Sequence, residues 1–170
     1  MRRHIRDTAV FGFLGALMFA SKLVMEAFPN IHLLGMFVIS FTLVYRARAL
    51  FPIYVFVFLQ GIFSGFAAWW VPHLYIWLPL WGGAMLLPKR MPKAVAPVVY
   101  MMLSALHGFL YGVMYAPAQA LLFGFSFDLT VRWIIAGLPF DVIHGVSNFI
   151  SGALIVPVTA VLCRLERGKS

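Results

Sequence analysis

Gly12-Phe-Leu-Gly15-Ala16-Leu-Met-Phe-Ala20-Ser-Lys22-Leu-Val-Met-Glu26 is an apolar stretch threaded with small residues and closed by one lysine and one glutamate. Gly12, Ala16 and Ala20 recur every four residues, which puts them on one face of a helix. No charge interrupts the chain between Asp7 and Lys22, so such a helix is apolar around its whole circumference and needs lipid or protein on every side. In lipid a face of small residues lets a second helix come close, because association there rests on packing rather than on the hydrophobic effect. Lys22 and Glu26, at i,i+4 spacing, read as a pair with each other, with ligand contact as the alternative.

The rest of the chain extends this reading. Of 170 residues, 63% are hydrophobic and 11% charged, with a mean hydropathy of +0.95. A water-soluble domain of this size must present polar groups over its surface; this composition points to a bilayer, whose core of about 30 Å is crossed by roughly 20 apolar residues in a helix. The first apolar run exceeds the core of a signal peptide and has no small-x-small cleavage site after it, so it is expected to be a retained span. A single cysteine, Cys163, excludes an internal disulfide and a cysteine-based metal cluster and reads as a helix-packing residue.

The net charge of +8 becomes informative once located. Arg2, Arg3 and Arg6 precede the first span; Arg46 and Arg48 share one loop; Lys89, Arg90 and Lys93 share another; Arg164, Arg167 and Lys169 follow the last span. Eleven of the thirteen basic residues thus fall at alternate ends of a six-span layout, the positive-inside pattern with both termini cytoplasmic. The charge orients the protein and is not a nucleic-acid footprint. The expected fold is an all-α, six-transmembrane-helix bundle forming a single domain over 1–170. Its spans are expected near Thr8–Phe28, Ile31–Tyr45, Leu50–Ala68, Tyr75–Leu87, Ala94–Ala116 and Leu138–Cys163. The second is short. The third carries Pro52 in its first turn, and the fourth should be kinked by Pro79 and Gly82-Gly83. Ala118–Gly137, with Asp128 and Arg132, is too polar for a crossing and is expected at the outer interface or as a cap.

Enzyme signatures are missing: no paired-carboxylate pattern, His-x-x-x-His metal motif, nucleophile elbow or phosphate loop occurs. Neither a catalytic residue nor a metal or cofactor site is assigned. Polar and aromatic residues gather instead at the outer ends of the spans. Asn30 and His32 lie in the first outer turn; Trp69, Trp70, His73, Tyr75 and Trp77, with Trp81 beyond, form the second. An interfacial aromatic belt accounts for single tryptophans, whereas this density between Pro72 and Pro79 suits the wall of a pocket for a ring-containing solute. On the fifth span Tyr100, Ser104, His107, Tyr111 and Tyr115 share a face, beside a second seam of Gly108 and Gly112. On the sixth, Asp141, His144 and Asn148 share another; an aspartate at mid-depth costs about 2.5–3.5 kcal/mol on insertion scales, so it should face protein, ligand or water. Asp141 and His144 either pair with each other, with Arg132 nearby, or touch ligand. The inner halves of the spans are nearly pure aliphatic and aromatic residues, which argues against a continuous aqueous pore.

With its size, six expected spans, cytoplasmic termini and outer polar clusters, the chain resembles the substrate-binding S components of energy-coupling factor (ECF) vitamin transporters. The sharper match is Ala16-Leu-Met-Phe-Ala20, which corresponds to that family's Ala-x-x-x-Ala motif on the first helix. The resemblance implies a prokaryotic cell-membrane protein that is not itself an enzyme and docks through Gly12, Ala16 and Ala20 on a transmembrane coupling subunit. It implies two partner ATPases as the motor and toppling of the loaded subunit in the bilayer. It also implies a vitamin-like ligand bound near Asn30, His32, Trp69, Trp70, His73, Tyr75, Trp77, His107, Tyr111, Asp141, His144 and Asn148 under a lid from the first and third outer loops. A cobalamin-type, queuosine-precursor or other heterocyclic ligand fits. Two other classes compete: a small membrane assembly or regulatory subunit, and a membrane-embedded enzyme using His107, Asp141 and His144 in acid–base work.

Overall fold

The computed structural model describes residues 2–89 and 91–168, with side chains from Ile5 onward. Arg90 and Lys169, two of the basic residues counted in the topology, lie outside the described residues, as do the side chains of Arg2 and Arg3. The described chain is helical, without a strand: α1 (Arg2–Val24), α2 (Leu34–Tyr45), α3 (Leu50–Ser64), α4 (Trp77–Leu86), α5 (Ala96–Phe109), α6 (Tyr111–Phe123), α7 (Phe127–Gly152) and α8 (Ile155–Arg167). Short 3-10 turns occupy Arg46–Ala49 and Ala68–Leu74.

Four helical runs are long and apolar enough to cross a membrane: Ile5–Val24, Leu34–Ser64, Ala96–Phe123 and Phe127–Gly152. The second is not one rod. Arg46 has φ 55°, a conformation that breaks an α-helix, and divides it into α2 and α3. At 12 residues α2 is about 18 Å long, well under the bilayer core. It survives because protein surrounds it: Leu34 through Thr42 are all buried, and α1, α4, α5, α7 and α8 pack against it.

The longest helix, α7, is polar inside and apolar outside. The buried side of α7 carries Asp141, His144, Asn148 and Ser151, while Val142, Ile143, Val146, Phe149 and Ile150 point outward. In water this arrangement would be unstable; a hydrocarbon solvent favours it. Phe51, Phe58, Ile62 and Phe63 repeat the outward apolar pattern on α3.

Helices α1 and α3 end four residues short of the expected spans, the fifth expected span is broken at Leu110, and two departures are larger. The segment 118–137, expected at the outer interface or as a cap and too polar for a crossing, is mostly helix and supplies the first half of a membrane-length run: α6 runs on to Phe123, Gly124 reverses the chain at φ 67°, and α7 starts at Phe127. Local signals outweigh polarity there. The Ser126 hydroxyl accepts from the Leu129 N–H at 3.2 Å as an N-cap, and Asp128 pairs with Arg132 at 2.8 Å one turn on. The expected last span is also split at Ala153–Leu154. Pro157 stands in the first turn of α8, where its ring and missing N–H prevent a continuous helix from α7.

The basic segments meet at one end. Arg48 pairs with Asp7 of α1, Arg46 donates to the Met85 carbonyl at the end of α4, and the Tyr45 hydroxyl donates to Glu166 of α8. Within the chain, α1 packs on α3 through Gly15, where a Cβ would sit 2.5 Å from Val55 and 2.8 Å from the Pro52 carbonyl oxygen. The Gly12–Ala16–Ala20 face is elsewhere: Ala16 and Ala20 are exposed, and a Cβ on Gly12 would meet nothing within 4 Å.

Candidate functional site

At the end away from the basic segments, α5, α6 and α7 hold a cluster of rings beneath the 68–74 turn. Its frame is an antiparallel pairing of α5–α6 with α7. A Cβ on Gly108 would lie 2.7 Å from the His144 carbonyl and the Gly145 nitrogen, and one on Gly145 would strike the Phe109 ring at 2.4 Å. Backbones this close bring matching side chains level. Asn148 Nδ2 donates to the Ser104 carbonyl at 3.2 Å, Tyr111 stacks on His144 (4.6 Å, 23°), and the Gly112 N–H donates to Asp141 Oδ1 at 2.9 Å.

The cluster continues ring to ring. His107 stacks on Trp77 (5.6 Å, 26°) and meets Tyr111 edge-on at 6.2 Å. His73 sits among Trp69, Trp77 and Tyr115 at 5.6–6.4 Å, and His32 lies 5.3 Å from His144. Four of the five histidines in the sequence thus join one cluster. The fifth, His4, has no described side chain.

Hydrogen bonds tie the overlying turn to α6. The Tyr115 hydroxyl donates to the Trp69 carbonyl at 2.5 Å, and the Tyr75 hydroxyl donates to the Met114 carbonyl at 2.8 Å. The Trp69 carbonyl also takes a bond from His73 Nδ1 at 3.1 Å. A carbonyl only accepts, so His73 carries its proton on Nδ1 and leaves Nε2 to accept from the Tyr111 hydroxyl at 3.4 Å. Burial holds His73 neutral, its pKa down at about 4. Burial, with His144 and His107 adding to it, takes His32 in the turn before α2 to about 3.

The sequence-derived site residues divide accordingly. His32, Trp69, His73, Trp77, His107, Tyr111 and His144 form the ring cluster, with Asp141 and Asn148 on either side of His144 along α7. Trp70 turns away: its indole N–H donates to the Val57 carbonyl of α3 at 2.7 Å and its ring packs on Phe58 and Phe66. Tyr75 serves as a brace to α6, and Asn30 takes a left-handed turn conformation (φ 63°). Trp81 reaches the other end, where its indole N–H donates to the Arg46 carbonyl at 3.3 Å. Lys22 and Glu26 pair at 2.9 Å, Asp141 bonds to Gly112 rather than His144, and Arg132 is taken by Asp128.

Three further groups belong to the site. Tyr115 and Ser104 lie on the polar stripe of the fifth expected span. Trp133, in the segment read as a cap, stacks on Tyr115 (6.2 Å, 18°). The small residues Gly35 and Gly145 gave no pattern of their own in the sequence; Gly35 leaves room for Ser104 Oγ, which would lie 2.7 Å from a Cβ there. A cavity of about 610 Å³, lined by Met25, His32, Val146 and Ile150 among others, opens beside the His32 edge of the cluster. No family model matches the chain, and no curated protein or solved structure is significantly similar to it.

Proposed function

We propose that this chain is the membrane-embedded substrate-binding subunit of an ECF-type importer for a ring-bearing micronutrient, not itself an enzyme. In this reading α1, α2, α3, α4, α5–α6 and α7–α8 make six membrane segments in the prokaryotic cell membrane, with both termini cytoplasmic. The carrying observation is the buried ring cluster at the end of the bundle opposite its basic segments. By the positive-inside rule that end faces outward. A solute arriving from outside meets the 68–74 turn, the first outer turn and the rings below them.

The open Gly12–Ala16–Ala20 face supplies the second half of the reading. The chain's own α1–α3 contact uses Gly15, so the smaller face is left for a transmembrane coupling subunit, with two ATPases behind it. An acid–base enzyme is less favoured by this geometry, since Asp141 bonds to the Gly112 N–H rather than to His144 and the two form no proton relay.

Co-purification tests the assignment. The full chain, gently solubilised from its own cells, is expected to bring down a coupling subunit and two ATPases. Ala16→Trp with Ala20→Trp should abolish that complex and uptake while leaving ligand binding by the isolated chain intact, because both side chains point away from the bundle. An undiminished complex in the double variant would remove the docking face from the proposal.

A further inference from the structure

The cluster contains buried polar atoms without a partner inside the protein, and the bonds made by their neighbours fix whether several of them give or accept. His107 Nε2 lies 2.9 Å from the Ile76 carbonyl, which only accepts, so the proton is on Nε2 and Nδ1 presents a lone pair. Asn148 spends its amide nitrogen on the Ser104 carbonyl, leaving Oδ1 to accept. Asp141 takes the Gly112 N–H on Oδ1 and leaves Oδ2, an acceptor in the ionised carboxylate. These three residues are 5%, 1% and 4% exposed, so bulk water does not serve them. Against them stands one unpartnered donor, Trp77 Nε1, while the Ser104 hydroxyl suits either role.

The charges point the same way. Lys22 and Arg132 are the basic residues of the outer half, and each is already paired, with Glu26 at 2.9 Å and Asp128 at 2.8 Å. The buried cluster itself offers a carboxyl group and no lysine or arginine. A carboxylate or phosphate brought into it would lose its hydration and find as its nearby cation Lys22, already committed to Glu26.

We propose that the cluster recognises a planar heterocycle, neutral or cationic, that carries amino or ring N–H donors, and that it discriminates against anionic ligands. His107 Nδ1, Asp141 Oδ2 and Asn148 Oδ1 accept those donors, and the outer faces of the Trp77–His107 and Tyr111–His144 stacks receive the ring. This deepens the binding-subunit reading and rests on it. A site of buried acceptors penalises a ligand without donors strongly, because the acceptors are then left unpaired.

The test uses the full chain in lipid nanodiscs and titration calorimetry with two sets of probes. Adenine, 2,4-diaminopyrimidine and thiamine form the donor-rich set; nicotinate, orotate and biotin form the anionic set. At least one donor-rich probe is expected to bind about 100-fold more tightly than any anionic one. Asp141→Asn keeps an acceptor for the Gly112 N–H while replacing Oδ2 by a donor. It should weaken the best probe about tenfold or more, with an unchanged melting temperature. Tighter binding of an anionic probe, or no binding by either set, overturns the ligand class. The importer reading is decided separately by co-purification of the coupling subunit, so the two can fail apart. The wild-type comparison stands alone if the variant does not fold.

Discussion

Trp69 contributes its backbone as well as its indole: one carbonyl oxygen receives both the Tyr115 hydroxyl and His73 Nδ1. Tyr115→Phe removes the shorter of these bonds and keeps the ring. It is expected to cost about 0.5–1.5 kcal/mol, visible as a lower melting temperature and faster amide exchange over residues 68–74. His73 and His32 give the cluster an acid limit. Their pKa values lie below the ordinary 6.5 in the folded chain, so the unfolded chain binds more protons between about 4 and 6.5. Stability from their burial is fully present above pH 6.5 and is lost as pH falls through that window. A melting series from pH 8 to pH 4 should be flat at first and then decline, and His73→Gln should flatten the decline. The sequence placed His32 and His73 in outer turns and His107 and His144 on helix faces, but it could not show which nitrogen carries each proton. That depends on carbonyls such as those of Ile76 and Trp69, contributed by distant turns.

Between elements, glycine position decides more than glycine number. Gly108 faces the backbone of α7 at 2.7 Å, whereas Gly82 in α4 faces open space. Gly108→Ala must push two helices apart and is expected to cost about 1–3 kcal/mol. Gly82→Ala should stabilise by a few tenths to about 1 kcal/mol, from helix propensity alone. Thermal unfolding of the two variants in one detergent compares them directly; equal melting temperatures would refute the close α5–α7 contact. The sequence revealed part of this. Gly108 and Gly112 stood out as a four-residue seam, and Pro52 stood where α3 begins. The helical nature of 118–137 is also written there, in Gly124, Ser126 and the Asp128–Arg132 spacing, although the polarity of the segment masks it. What periodicity could not supply was the pairing of helices. It is fixed by contacts such as Gly108 with His144, remote in sequence.

For the whole molecule, the all-helical character and the presence of membrane-length apolar helices were legible because hydropathy acts over entire segments. The depth of the site was less so: Trp70 and Trp81 share the aromatic run with Trp77 yet point to α3 and to the Arg46 turn. Cys163 provides an orientation test, since it lies near the end of α8 beside the basic segments. With Cys163→Ala as background, Ser126→Cys should react with an impermeant maleimide on intact cells, while Cys163 in the natural chain should react only after the membrane is opened. The reverse pattern would invert the orientation. Helix length carries one more consequence. α7 has 26 residues and α3 only 15, about 39 Å and 22 Å respectively. The lipid annulus therefore meets a tall wall on one side and a low one on the other, and relieves the difference by tilt or local thinning. Bilayer thickness becomes a lever on the resting tilt of the protein: shorter acyl chains should lean α7 further over, a change that polarised infrared spectra of oriented membranes can measure.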